Sequence, residues 1–360
     1  MSIPAHAAPL PAATDATRRL GIRHPVVQGP FGGGLSTVAL ASLVSNLGGL
    51  GSYGAHSLAP GRIESLAVEL RAQTAAPFAI NLWVSDHDAG GLQLSAAQFE
   101  QAWTVFEPWY RELGVARPEL PERFHPAFDQ QVDALLAARP PVFSFVFGIP
   151  PATVLAECRR LGIVTIGAAT SIAEGEALDA AGVDLIVATG AEAGGHRPAF
   201  LQVAESALIG TFSLVQLISS RVRAPVVAAG GIADRRGIHA ALTLGAQAAQ
   251  IGTAFLACAQ SGTHDLHRDA LFSTRAQRTT LTRSFTGRLA RGIRNRWTDE
   301  WETRVSTPLP FPVQAWFVAQ LRAAALAAGH TELISLWSGQ IAPALVHRDA
   351  ATLMNALIED

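Results

Sequence analysis

Eight short runs of β-branched and apolar residues, each closed by glycine-rich punctuation, restrict this chain to very few folds. They fall at residues 25–28, 49–53, 78–84, 142–147, 163–166, 184–188, 225–229 and 248–252. Amphipathic stretches lie between them, at 35–46, 62–73, 153–161, 171–181, 208–222 and 235–245. Consecutive parallel strands need a crossover, and a helix supplies it, so this alternation implies a parallel sheet. Eight repeats favour α/β architecture of the closed (β/α)8 TIM-barrel type; strand number alone leaves an open doubly wound sheet as the alternative.

The spacing breaks once, between Trp83 and Val142, where helical patterns at 95–113 and 128–138 flank a proline-rich bridge at 117–126. After Phe255 the barrel pattern ends; an arginine-rich segment (275–296) and helical patterns at 313–328 and 331–338 follow. The expected layout is a flexible tail at 1–20, a barrel from 21–84 and 142–274, and a smaller, mainly helical lobe from 85–141 and 275–360 covering the barrel mouth. The start of the chain lacks the basic and apolar regions of a secretory signal. The longest apolar stretch, 238–259, is broken by Gly245, Gln247, Gln250 and Gly252 and reads as helix then strand, not a membrane span.

Composition excludes several chemistries. The net charge of −2 gives no basic field for nucleic acid or anionic membranes. All 27 basic residues are arginine. Walker phosphate loops, Schiff-base aldolases, pyridoxal-phosphate enzymes and flavin barrels with a lysine beside the ring therefore drop out. Cys158 and Cys258 are widely separated and in apolar contexts, which fits buried thiols in a reducing cytoplasm.

Catalytic barrels place their chemistry where strands end. The sixth run ends in Val187-Ala-Thr-Gly-Ala-Glu-Ala-Gly-Gly-His-Arg-Pro198, small residues that let a planar ligand approach the backbone and deliver one imidazole, His196. The bland reading of His196 is a core histidine bonded to a carbonyl. Asn81 ends the third run with an amide able to donate and accept at a heterocycle edge. Gly-rich turns follow the seventh and eighth runs, Ala228-Ala-Gly-Gly-Ile232 and Gln250-Ile-Gly-Thr253, where such barrels bind phosphate; Gly230, Gly231 and Gly252 supply backbone N–H groups and Thr253 a hydroxyl. Gly49-Leu-Gly-Ser-Tyr-Gly54 matches a dinucleotide fingerprint, but Pro60 separates it from the next helix, so it reads as a loop. No metal site is expected. His264-Asp-Leu-His-Arg-Asp269 reads as a solvated helix surface without a third zinc ligand, and Asp86-His-Asp88 as a polar loop tip.

Together, Gln28-Gly-Pro-Phe-Gly-Gly33, Phe78-Ala-Ile-Asn-Leu82, Glu192-Ala-Gly-Gly-His-Arg197, Ala228-Ala-Gly-Gly-Ile232 and Gln250-Ile-Gly-Thr-Ala-Phe255 resemble nitronate monooxygenases (2-nitropropane dioxygenases), class I-like. Phe285-Thr-Gly-Arg-Leu-Ala-Arg291 and Leu336-Trp-Ser-Gly-Gln-Ile-Ala342 extend the resemblance outside the barrel. It implies FMN as cofactor, with a nitronate (or its parent nitroalkane) and O2 as substrates and a carbonyl compound and nitrite as products. By motif, His196 is the base and anion partner: the imidazolium would attract a nitronate, the neutral ring deprotonate a nitroalkane. Asn81 and Gly194 would contact the flavin; Gly231, Gln250, Ile251, Gly252 and Thr253 would hold its phosphate and ribityl chain. Three positions depart from the pattern: Phe31 where Met is usual, Thr189 where Gln is frequent and Pro198 where Gly is usual. Phe31 and Pro198 would reshape the substrate pocket, and Thr189 would weaken a flavin-ring contact. The same barrel could instead serve an NAD(P)H-dependent flavin reductase (enoyl-thioester or quinone) or a non-catalytic binding module. A homodimer is compatible with the sequence, which does not fix oligomeric state.

Overall fold

The computed structural model describes residues 10, 11, 13–85, 94–305 and 307–359; the Asp86–Asp88 cluster lies outside them. Eight parallel strands form the barrel: β1 (Val26–Gln28), β2 (Gly51–Gly54), β3 (Phe78–Trp83), β4 (Val142–Val146), β5 (Val164–Ala169), β6 (Leu185–Thr189), β8 (Val226–Ala229) and β9 (Ala248–Ile251). Each of the eight runs becomes a strand. A two-residue strand, β7 (Gly195–His196), belongs to another sheet. Pairing runs from β1 through β9, β8, β6, β5, β4 and β3 to β2. A parallel bridge between Val27 and Leu50 closes the ring, with Gln28 N donating to Leu50 O at 2.9 Å.

Strand residues alternate between the barrel interior and the helices outside. Val27, Ala79, Val142, Ile166, Leu185, Val187, Val227, Ala229 and Ala248 form the interior cluster. Ile80, Leu82, Phe143, Phe145, Ile186, Ala188, Ala228, Ala249 and Ile251 instead pack with the helices. Period two then places Asn81 and Trp83 above Ala79, Ser144 above Val142, Thr189 above Val187 and Gln250 above Ala248. The polar top layer sits at the carboxyl ends of the strands. The opposite end is stoppered by the helix Asp15–Leu20, whose Ala16 and Leu20 join the interior cluster. Thr14 caps this helix and donates its hydroxyl to Gln247 O at 2.7 Å. The end of the expected tail is therefore structural: two apolar side chains one turn apart find an open barrel bottom.

The packing corrects the expected boundaries twice more. Phe128–Ala138 buries Phe128, Val132 and Leu135 in the barrel's main core and packs between the helices Pro60–Gln73 and Ala152–Leu161, so it is the third helix of the ring. Ala350–Ile358 buries Leu353, Met354 and Leu357 in the same core, against Val38–Asn46 and Arg235–Thr243, and completes the ring after β9. Chain distance had put both in the lobe. The eighth helix is merely postponed by the lobe segment inserted before it.

The lobe has a separate aromatic core, including Phe106, Trp109, Trp297, Trp301 and Phe317. It contains the helices Ala96–Glu112, Arg296–Arg304 and Val313–Ala327 and the strands β10 (Thr279–Thr282) and β11 (Ala290–Ile293). The helical pattern at 331–338 yields only a 3-10 turn, Thr331–Leu333. Ile293 N donates to Leu336 O at 2.8 Å, and Gly292 bridges Trp337. Sheet-edge hydrogen bonding overrides local helical periodicity there. Cys158 and Cys258 are buried free thiols. No helix among the described residues is long and apolar enough to cross a membrane.

Candidate active site

The loop after β6 is held by groups that sequence reading treated as punctuation. Arg197 is 1% exposed. Its guanidinium donates to Gly190 O (2.6 Å), Thr189 O (2.9 Å) and Ala207 O (2.8 Å), folding the loop back on the strand it left. Burial, with the charge of Arg291 adding, draws its pKa down to about 10, so it remains a cation at neutral pH. Glu192 accepts from Thr211 N and from the Thr211 hydroxyl (2.9 Å), capping the helix Thr211–Ser219. Beyond Pro198, Phe200 N and Leu201 N donate to Glu174, a fully buried carboxylate that also accepts from Thr170. Every anchor is a charged side chain meeting main-chain groups.

These anchors deliver His196 to a place the sequence did not foresee. Instead of ending a barrel strand, it lies in β7, which pairs antiparallel with β11 of the lobe, Ala290 opposite His196 and Arg291 opposite Gly195. Gly195 takes the left-handed conformation (φ 74°). His196 Nε2 lies 2.9 Å from Thr286 Oγ1. That hydroxyl can donate to Arg288 O at 3.2 Å, which lets it accept from Nε2–H and leave the lone pair on Nδ1. Burial first, then the positive charge of Arg288, push the His196 pKa down to about 3. The resting ring is then neutral, one of the two states the sequence left open.

Aromatic rings surround it. Trp83 meets His196 edge-on (4.8 Å between centroids), Trp337 lies at 5.3 Å and Phe147 at 6.2 Å. Trp83 is stacked face to face on His56 at 3.7 Å. Phe147 has φ 70°, a left-handed conformation that strains any residue with a Cβ, although Gly148 stands beside it. Trp83, Thr286, Arg197 and Glu174 were missed as site residues. For Trp83 a signal existed, since period two from Asn81 aims it at the same face.

The other expected residues gather at the same mouth. Asn81 donates to Ser144 Oγ at 3.0 Å, leaving its amide oxygen available. Gly230 and Gly231 are both left-handed (φ 106° and 72°). A Cβ on Gly230 would come 2.8 Å from Thr211 Oγ1, so the turn admits no side chain. Gly231 and Gly194 are exposed at the rim, and Gln250 and Gly252 are partly so. Thr253 Oγ1 accepts from Gly339 N at 2.9 Å, which leaves its own proton to donate. Phe31 lies partly buried in the loop after β1, its ring near Gly29 and Gly252. Ile251 is buried outward, so only its main chain faces the mouth, and its carbonyl already accepts from Gly29 N. Gly49–Gly54 is loop and strand with no helix opening at Gly54, as expected. No metal cluster occurs among the described residues.

His267 is a correction. It is 1% exposed, not solvated, with Nε2 3.0 Å from Trp337 O, and it supports the segment carrying Trp337. Burial lowers its pKa from 6.5 to about 4. Between those values the unfolded chain binds more protons, so the contribution is intact above pH 6.5 and is lost as pH falls toward 4. Stability from urea unfolding at pH 7 and pH 5 should fall by about 2 kcal/mol more in the native protein than in His267→Gln. Equal pH slopes would refute the buried neutral state.

Fold and site together define a (β/α)8-barrel enzyme with His196, the amides of Asn81 and Gln250 and two glycine turns at its mouth. The chain belongs to the nitronate monooxygenase family, which matches residues 14–360, and is an oxidoreductase. It is 40% identical over 349 residues to the nitronate monooxygenase of Pseudomonas aeruginosa, covering 96% of this chain and 98% of that one. Among solved structures it resembles a nitroalkane oxidase from Streptomyces ansochromogenes (TM-score 0.86, 34% identity, 96% of each chain). FabK from Thermotoga maritima is also similar (TM-score 0.73, 26% identity, 97% of this chain and 96% of that one).

Proposed function

We propose that the protein oxidises alkyl nitronates with O2 to a carbonyl compound and nitrite, using FMN bound at the barrel mouth. The carrying observation is the neutral His196 held by Thr286 above a mouth of exposed glycines and amides. These residues fit the cofactor: the left-handed Gly230–Gly231 turn, Gly252 and Thr253 offer N–H and hydroxyl donors for a phosphate, and Asn81, Gly194 and Gln250 offer contacts for a heterocycle and a polar chain. Bound there, FMN would accept electrons from the substrate and pass them to O2.

The chain's own residues select the substrate's charge state. A histidine whose pKa lies near 3 is a weak base, poorly matched to pulling a proton from a neutral nitroalkane. A nitronate has already lost that proton. Its negative charge beside the ring favours protonation of His196, and Thr286 can still accept from Nε2–H of the resulting cation. The surrounding rings lower the polarity around His196 and strengthen that attraction.

The test is the absorbance spectrum of the purified protein followed by anaerobic titration. A flavin spectrum bleached by ethyl nitronate, and only slowly by nitroethane or NAD(P)H, is expected. Rapid bleaching by NAD(P)H with none by nitronate would establish the reductase reading instead. A colourless protein that stays apo with added FMN would remove both.

A further inference from the structure

The indoles of this chain are unevenly placed. Of seven tryptophans, none belongs to the barrel's main core. Trp83 and Trp337 meet His196 at the mouth, and the others lie in the lobe. Trp83 leads to no second indole among the described residues: its ring neighbours are His56, Phe147, His196 and, at 5.2 Å, Phe311 of the lobe. Trp337 does lead on. It and Trp297 both pack against the Phe285 ring, each at 5.7 Å between centroids. Trp297 in turn lies 4.6 Å from Trp109 and 5.5 Å from Trp301. A file of rings therefore runs from the imidazole into the lobe. It reaches Trp109, which lines a recess open to solvent with Val105, Pro108 and Arg304.

The hydrogen-bond partners change along the file. Trp297 Nε1 donates to the carbonyl oxygen of Ser284 at 3.3 Å, and Trp301 Nε1 has no partner among the described residues. Trp109 Nε1 donates to a carboxylate, Glu300 Oε2, at 3.3 Å. Indole yields an electron more readily than phenyl or imidazole, and the cation left behind is an acid at its nitrogen. A peptide carbonyl does not keep that proton, whereas a carboxylate does. Glu300 is partly exposed and held by Arg296 at 2.6 Å, so the proton passes on to water. An electron vacancy moving along these rings is therefore trapped at Trp109.

We propose that Trp337, Trp297 and Trp109 form a relay that carries oxidising equivalents away from the barrel mouth, protecting His196 and the bound flavin from oxygen-centred radicals formed when O2 is reduced there. This rests on the flavin and O2 of the reading above and adds a second activity to it. The step balances in electrons and protons. The radical takes one electron from Trp337 and one proton from solvent. Trp297 refills Trp337, and Trp109 refills Trp297. Trp109 gives its Nε1 proton to Glu300, leaving a neutral indolyl radical beside the recess. A thiol reductant in solution then returns one electron and one proton.

The experiment is laser-flash absorption of the FMN-loaded protein, in which the light-excited oxidised flavin stands in for the radical as one-electron oxidant. Expected in the wild type is flavin reduced by one electron together with a long-lived neutral indolyl radical. Trp297→Phe should lose the long-lived signal, because the vacancy on Trp337 is refilled by the flavin. Glu300→Gln keeps a hydrogen-bond acceptor but not the base, so the signal should shift to the longer-wavelength absorption of the indole radical cation. Glu300 is not a core residue, and its variant decides the matter should Trp297→Phe fail to fold. Turnover with ethyl nitronate and O2, followed by peptide mass spectrometry, should place oxidation on Trp109 in the wild type and on Trp83, Trp337 or His196 in Trp297→Phe. Bound flavin with no indolyl radical, or a radical that neither substitution changes, overturns the relay and leaves nitronate oxidation standing. A protein that binds no flavin overturns both.

Discussion

Replacing His196 by alanine is expected to lower kcat/KM for nitronates by about 10²–10³-fold while leaving the flavin spectrum in place. The magnitude is that of removing one preorganised polar partner from the reacting centre. The flavin should stay because most groups assigned to it, apart from Gly194 and Thr189, lie on other strands and turns: Asn81 on β3, the Gly230–Gly231 turn after β8 and Gln250 on β9. Wild-type kcat/KM should show no inflection near pH 6.5. That profile reports the free enzyme, where burial and Arg288 hold His196 near 3, so the ring stays neutral from pH 5 upward. The measurement is steady-state oxygen consumption from pH 5 to 9 with pre-formed nitronate. An inflection near 6.5 that vanishes in His196→Ala would show that the ring titrates as an ordinary solvated histidine, and unchanged turnover in the variant would remove His196 from the chemistry.

The second large effect concerns the residue that ties down the loop after β6. Arg197→Met should destabilise the protein by about 3–5 kcal/mol, because the carbonyls of Thr189, Gly190 and Ala207 lose their donor inside a site that water does not reach. Arg197→Lys should recover part of the loss. An ammonium keeps the charge but cannot spread planar N–H groups over three carbonyls. The register of β7 against β11 depends on this fold-back, so activity should decline along with stability in both variants. Chemical denaturation of the three proteins checks the order. A loss below about 1 kcal/mol in Arg197→Met would mean the loop is held by Glu174 and Glu192 without it.

These two residues show where sequence reading succeeded and where it stopped. His196 was visible because a lone imidazole after a buried run and two glycines is an uncommon arrangement. Its immediate neighbour was read as a flank, because a chain with 27 arginines gives no local sign of which one is buried. Thr286 and Phe311 lie some 90 residues or more further along the chain. They meet the site only because β7 leaves the barrel and pairs with β11. The helix Ala350–Ile358 was assigned to the lobe for the same reason: closing a ring is a relation between distant segments.

By itself the sequence determined the eight strands, their parallel sense, Asn81 at the end of the third and the glycine turns, while barrel closure stayed open against a doubly wound sheet. All of these follow from period-two burial and from backbone conformations that neighbouring residues impose on one another. Only the tertiary structure decided which helices complete the ring, which sheet carries the histidine, and that its ring is neutral. Desolvation and hydrogen-bond partnership depend on what surrounds a group in space, and here those surroundings come from segments far apart in the chain.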